Sequence, residues 1–128
     1  MTALTGSCQC GAVRFTLAQR PTDPTACHCV QCRKQSGHFF ASANVAKSAL
    51  EVEGAGNVTW YASSAKVRRG FCARCGSWLF WEPIDRDWTS VALGAIDGPT
   101  GLALERHIFV AEKGDYYRIA DGLPQRQR

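Results

Sequence analysis

The chain has 128 residues, of which 45% are apolar and 20% are charged, and its formal net charge is +4. This composition predicts one soluble globular domain over residues 1–128. No apolar run approaches the roughly 20 residues that span a bilayer, which excludes a transmembrane helix. The first six residues lack the basic start and the apolar middle of a signal peptide, and we therefore expect a cytoplasmic protein without a membrane partner.

The first predicted element is a β-hairpin over residues 4–18. Apolar and polar residues alternate over 13–17, which places one face of the second strand on a core. Cys8 and Cys10 lie at the tip of this hairpin. Residues 20–24 are predicted to be a loop, because two prolines within four residues cannot support ladder hydrogen bonds.

Three cysteines, Cys27, Cys29 and Cys32, follow within six residues. On a short strand the first two would point to the same face, and a tight turn would return the third to them. Thiolates at this range repel unless a cation lies between them, and Zn²⁺, bound by sulfur at about 2.3 Å, is the usual one. Three protein ligands leave a fourth tetrahedral position open, as in catalytic zinc sites. One or two helical turns over residues 31–36 are expected to end at Gly37.

The rest of the chain consists of short strand signals separated by turns, which indicates a mainly antiparallel β fold with few helical turns. Cys72 and Cys75 form a CxxCG turn between two strands, as in a zinc knuckle. The tail over residues 121–128 is expected to fray at its end. The predicted strands cover residues 38–45, 51–53, 58–61, 66–71, 77–81, 87–95 and 106–110.

The seven cysteines are odd in number and tightly clustered, which favours metal binding over disulfides. A redox role for the CxxC pair is disfavoured, because no βαβ unit surrounds it. The clusters contain two, three and two thiols, and only one combination builds a closed four-sulfur site from intact clusters. The closed set is Cys8, Cys10, Cys72 and Cys75. Cys27, Cys29 and Cys32 are then left for a second, open zinc ion.

Histidines and cations near the three cysteines are further candidates. A water molecule, His28 or His38 could instead complete a purely structural zinc site on the three cysteines. On a strand, however, His28 points away from its cysteine neighbours and is expected to be a surface residue. His38 is the better candidate for acid–base catalysis, while His107 is interpreted as structural. Arg33, the other catalytic candidate, could pair with carboxylates of a ligand together with Lys34, although both residues could be solvated charges.

Six aromatic residues are interpreted as core, and some of them could line a pocket beside the open zinc. They are Phe39, Phe40, Trp78, Phe80, Trp81 and Trp88. Seven thiolates carry −7 and two zinc ions +4, so the loaded protein has a formal charge of about +1 rather than +4. The remaining basic excess gives little support to nucleic-acid binding. No fingerprint of an organic cofactor is present.

Taken together, residues 6–15, 27–37, 71–77, 107–110 and 121–125 resemble the glutathione-dependent formaldehyde-activating enzyme family, also called the Gfa or CENP-V domain family. The resemblance implies a β-rich Mss4-like fold, a structural zinc on the four-cysteine set and a second zinc on the three-cysteine set. It also implies condensation of formaldehyde with glutathione to S-(hydroxymethyl)glutathione, which is a carbon–sulfur lyase activity.

The leading hypothesis is that the open zinc position binds a small thiol, glutathione, beside an aldehyde such as formaldehyde. One alternative is a carrier of glutathione or its conjugate, and another is a non-catalytic, zinc-stabilised interaction module. The sequence leaves the oligomeric state open.

Overall fold

The computed structural model describes residues 3–128, which contain ten strands and one α-helix. Met1 and Thr2 lie outside the described residues. They belong to the first six residues, on which the expectation of no signal peptide is based. The helix α1 is Val30–Ser36, and none of the helices in residues 3–128 is long and apolar enough to cross a membrane. The strands are β1 (Leu4–Ser7), β2 (Arg14–Leu17), β3 (Thr22–Cys27), β4 (Phe40–Ala46), β5 (Leu50–Glu53), β6 (Val58–Ala62), β7 (Val67–Cys72), β8 (Trp78–Pro83), β9 (Trp88–Ala92) and β10 (Arg106–Ile108).

The strands form two sheets. The larger has seven strands in the order β10-β3-β4-β9-β8-β7-β6, and the smaller has three in the order β1-β2-β5. Every pair of named strands is antiparallel except β10 with β3. The prediction of a mainly antiparallel β fold with few short helices is confirmed, whereas its assignment to the Mss4-like fold stays a prediction.

The main core lies between the small sheet and the large one. Phe15 of β2 meets Phe80 of β8 edge to face, with ring centroids 5.6 Å apart. The alternation over residues 13–17 predicted this face correctly, since Val13 and Leu17 are also fully buried. Gly6 of β1 lies beneath the Phe15 ring, where an added Cβ would approach within 2.1 Å of a ring carbon. The hairpin therefore packs closely through a residue without a side chain.

Part of a segment predicted to be a loop belongs to the large sheet. The loop expected over residues 20–24 is wrong in its second half, because β3 begins at Thr22 and includes Pro24. The pairing of β3 with β4 shifts between Thr22 and Thr25, and Asp23 there has a φ of 55°. Such a bulge interrupts the ladder, so the missing N–H of a proline is tolerated.

The C-terminal tail pairs with β10 instead of fraying. His107 N donates to Pro124 O at 2.9 Å, and Arg126 N donates to His107 O at 2.9 Å. Val110 N continues the pattern by donating to Arg126 O at 3.0 Å. The expectation of a frayed end is therefore wrong, because the tail has backbone partners 16 or more residues away in the sequence.

Candidate metal centres and adjoining pocket

The four-cysteine set predicted to be closed is brought together at the junction of the two sheets. Cys8 and Cys10 come from the β1–β2 turn, while Cys72 ends β7 and Cys75 lies in the turn to β8. Their four sulfurs all lie within 4.8 Å of one another. The Cys10 sulfur is 3.6 Å from that of Cys8 and 3.8 Å from that of Cys72. Sulfurs arranged as a tetrahedron about 2.3 Å from zinc would be about 3.8 Å apart, so the set fits this ion.

Hydrogen-bond donors contact three of these four sulfurs, those of Cys8, Cys72 and Cys75. The pKa of Cys75 is lowered to about 5, chiefly by the hydrogen bond from the Ser77 hydroxyl. Gly76, in the same turn, has a φ of 79°, a conformation that glycine adopts readily. The contacts are Val13 N to Cys8 Sγ at 3.3 Å, Arg74 N to Cys72 Sγ at 3.4 Å, and Ser77 Oγ to Cys75 Sγ at 3.2 Å.

The second set, Cys27, Cys29 and Cys32, has its sulfurs within the same 4.8 Å limit. The strand predicted to carry two of them ends at Cys27, and Cys29 is instead the N-cap of α1. Its Sγ accepts a hydrogen bond from Cys32 N at 3.3 Å. The neighbouring side chains of Cys27 and Cys32 are the main causes that lower the pKa of Cys29 to about 2. The N-cap sulfur of α1 therefore faces the other two sulfurs of the set.

A pocket of about 500 Å³ opens onto these three sulfurs. Of the six aromatic residues considered in the sequence, Phe40, Trp81 and Trp88 line it, whereas Phe80 belongs to the main core. Trp78 stacks on the outer side of Phe40, with centroids 3.5 Å apart. The polar and charged lining residues are Asp23, Thr25, Gln31, Ser42, Asn44, Arg69, Ser90 and Glu112.

Backbone strain is concentrated at the same pocket. Asp23 and Phe109 both have a φ of 55°, and they are the non-glycine residues with positive φ in the described part of the chain. Both line the pocket. Conformations of this kind cost free energy and cluster at functional sites. The pocket beside the three cysteines is therefore a stronger candidate for the functional site than the four-cysteine set.

Arg69 of β7 is the cation next to the three cysteines, and sequence analysis missed it. It is only 3% exposed, and its Nη1 donates to Cys32 Sγ at 3.6 Å. No ion pair within residues 3–128 includes Arg69. A signal was available in the adjacent Arg68, because neighbouring residues of a strand point to opposite faces and one of two consecutive arginines must face inward.

His28 is fully buried, so its prediction as a surface residue is wrong. Its Nδ1 is hydrogen-bonded to the Tyr117 hydroxyl, and its Nε2 lies 2.8 Å from His107 Nδ1. His107 Nε2 in turn meets Asp121 Oδ2 at 2.8 Å. The pKa of His28 is lowered to about 4, first by burial and then by the neighbouring His107. Both ring nitrogens are engaged away from the sulfurs, which leaves neither as a fourth ligand.

Arg33 and His38, the catalytic candidates, do not line the pocket. His38 is exposed, and its ring lies beside Phe39 and Tyr117 at centroid distances of 4.5 and 4.2 Å. Arg33 is half-buried, and its Nε lacks a hydrogen-bond partner in the described residues. A catalytic role for either residue stays a prediction.

The chain is similar to known proteins over most of its length. Residues 3–112 match the family model described as glutathione-dependent formaldehyde-activating enzyme. A Halomonas elongata protein named "Putative glutathione-dependent formaldehyde-activating enzyme" is 33% identical over 130 residues, covering 91% of this chain and 80% of the relative. An uncharacterized lyase of Schizosaccharomyces pombe is 26% identical over 118 residues, covering 91% of this chain and 85% of the relative.

The crystal structure of a Rhodobacter sphaeroides protein superimposes on this structure with a TM-score of 0.63, and the two sequences are 27% identical. The match covers 74% of this chain and 89% of that one. The family match spans both cysteine sets and the pocket residues from Asp23 to Glu112. The chain therefore belongs to the glutathione-dependent formaldehyde-activating enzyme family.

Proposed function

We propose that the protein is a zinc-dependent enzyme of the carbon–sulfur lyase type that joins a small thiol, glutathione, to an aldehyde such as formaldehyde. The product would be the S-hydroxymethyl adduct, which the enzyme could also cleave. The observation that carries the proposal is the cluster of three sulfurs within 4.8 Å of one another at a pocket of about 500 Å³. That volume lies within the usual range for small-molecule sites, about 300–1,000 Å³. A single domain over residues 1–128 with an Mss4-like fold, in the cytoplasm, completes the proposal.

The two cysteine sets suit zinc because thiolates are soft ligands for it. Cys8, Cys10, Cys72 and Cys75 would hold a structural ion with all four positions filled by protein. Cys27, Cys29 and Cys32 would hold the second ion. When bound there, zinc supplies a Lewis acid with a fourth position that keeps a substrate thiol in its anionic form.

The residues around the pocket supply further features that the reaction would use, while the proton lost by the thiol would return to the oxygen of the adduct. The indole rings of Trp81 and Trp88, stacked 6.0 Å apart, exclude water from one wall. Ser90 Oγ donates to Asn44 Oδ1 at 2.7 Å, which leaves the Asn44 amide N–H₂ to donate to a carbonyl oxygen of the aldehyde. Arg69 places a positive charge beside the sulfur anions. Holding thiol and aldehyde together in this space supplies proximity.

The test is exchange-spectroscopy NMR on formaldehyde and glutathione at equilibrium, with and without protein loaded with two zinc ions. Cys29→Ser is the matched control, because serine is a good N-cap and can still accept the Cys32 N–H while removing the sulfur. We expect wild-type protein to accelerate exchange and Cys29→Ser to reduce the acceleration by at least tenfold. No acceleration by fully loaded wild-type protein would overturn the enzymatic proposal.

Binding measurements on the same samples separate the alternatives. Saturable glutathione binding without faster exchange would identify a carrier. Absence of glutathione binding by protein that retains both zinc ions would favour a zinc-stabilised interaction module instead.

A further inference from the structure

Arg69 has an unusual environment for a charged side chain. The residue is 3% exposed to solvent, yet every oxygen that accepts a hydrogen bond from its guanidinium is neutral. Burying a charge costs several kcal/mol unless an opposite charge compensates for it. The partners are Ser63 Oγ to Nε at 3.0 Å, Gln31 Oε1 to Nη2 at 2.9 Å, Gln35 Oε1 to Nη1 at 3.3 Å, Cys32 Sγ to Nη1 at 3.6 Å and the face of the Trp78 ring at 5.1 Å.

The sulfur cluster is the source of compensating charge among these partners. Cys32 Sγ is the one contact in the set that can become anionic, and the sulfurs of Cys27 and Cys29 lie within 4.8 Å of it. Gln31 and Gln35, four residues apart on α1, fix the guanidinium from the same helix that carries Cys32. The same helix therefore holds both the guanidinium and the Cys32 sulfur that it contacts.

We propose that Arg69 is the counter-ion of the three-cysteine centre and that it makes the open position selective for an anionic thiolate over a neutral ligand. This inference rests on the function proposed above. Zinc with three thiolates has a net charge of −1, and a thiolate as fourth ligand makes it −2. A guanidinium at contact distance offsets part of that added charge, whereas a neutral ligand adds none. Arg69 is thus a specificity-determining residue, and it need not touch the reacting carbon.

A merely structural role makes a different prediction. If Arg69 only joined α1 to β7, removing its charge would weaken all ligands equally through general loosening of the cluster. If it acts as a counter-ion, only the anionic ligand should be affected. The comparison therefore needs two ligands of different charge.

The experiment uses the full chain with Co²⁺ in place of zinc, and follows the visible spectrum during titration with 2-mercaptoethanol or with imidazole. The Arg69→Gln variant should bind 2-mercaptoethanol about tenfold more weakly, a moderate effect for a charge-assisted contact, while imidazole binding changes less than about twofold. Arg69→Lys keeps the charge and should lie between wild type and Arg69→Gln. Arg68→Gln is the matched control and should match wild type, because that side chain lies over Trp60 and pairs with Glu82 on the other face.

A second variant neutralises the positive charge of Arg69 while the arginine side chain stays in place. Gln31→Glu is nearly isosteric and places a carboxylate on Arg69 Nη2, so it should also weaken thiol binding severalfold and spare imidazole. Equal changes for both ligands, or none, in variants with wild-type circular dichroism and Co²⁺ content would overturn the inference. Failure of the proposed function itself would appear in wild-type protein, as a spectrum that does not respond to thiol or that Cys29→Ser leaves unchanged.

Discussion

His28, which separates two cysteines of the three-cysteine cluster, is buried because hydrogen bonds satisfy both of its ring nitrogens. The ring points away from the sulfurs, as strand alternation predicted, although β3 ends at Cys27 and His28 lies just beyond it. Alternation does not reveal what lies on that side, and the covering residues Tyr117 and His107 are 89 and 79 positions away. Its exposure could not be predicted without the tertiary contacts.

His107→Ala should destabilise the protein by about 2 to 3 kcal/mol, because it removes a buried ring and leaves His28 Nε2 without its partner. The free energy of unfolding from urea denaturation measures the effect. Asp121→Asn retains an acceptor at a partly exposed position and should cost less than about 1 kcal/mol. An unchanged stability in His107→Ala would contradict the idea that this chain of hydrogen bonds supports the cysteine segment.

Among the elements, β5 depends on the approach of its C-terminal end to the hairpin. Gly54 follows this strand with a φ of 75°, and a Cβ added there would lie 2.0 Å from Ala12 O. That oxygen belongs to the backbone and cannot rotate away. The close approach therefore requires glycine for two reasons, conformation and space.

Gly54→Ala should lower the free energy of unfolding by about 2 kcal/mol or more, through left-handed backbone strain and the contact with Ala12. Gly56→Ala is the control two residues further on, since it has no neighbouring atom within 4 Å of the added Cβ. Urea midpoints of the two variants should differ clearly. Equal midpoints would show that the hairpin end moves aside at little cost.

For the molecule as a whole, the four-cysteine cluster joins the two sheets. Its two halves are 62 residues apart between Cys10 and Cys72, and the small sheet supplies one half while the large sheet supplies the other. A closed metal site of this kind would contribute directly to folding free energy. The three-cysteine cluster lies within the large sheet and its helix, so it holds no second layer in place.

Cys72→Ser should therefore lower the thermal midpoint far more than Cys29→Ser, with a loss of about 3 kcal/mol or more against about 1 kcal/mol. Differential scanning calorimetry of protein purified with zinc gives both values. Stripping wild-type protein with a strong chelator should reproduce the larger effect. Similar midpoints for the two variants would argue against a stapling role for the four-cysteine set.

Much of this architecture could be predicted from local patterns. The spacing of the seven cysteines indicates two sets with the membership that the fold brings together, because intact clusters allow one closed combination. Alternation likewise predicts the hairpin face at Val13 and Phe15. The Arg68-Arg69 pair indicates that one arginine faces inward, but which one depends on the face of β7 that meets α1. The position of Pro24 depends on a bulge that local patterns do not predict.

The pairing of residues 124–127 with β10 and the segment after it has a consequence for handling the protein. An unprotected edge strand exposes unpaired backbone N–H and C=O groups that can pair with a strand of another chain. Here the tail pairs with these groups at His107 and Val110. Deleting residues 121–128 would uncover them, and we expect the shortened protein to form larger species on size-exclusion chromatography. Purification tags are therefore better attached at the opposite terminus.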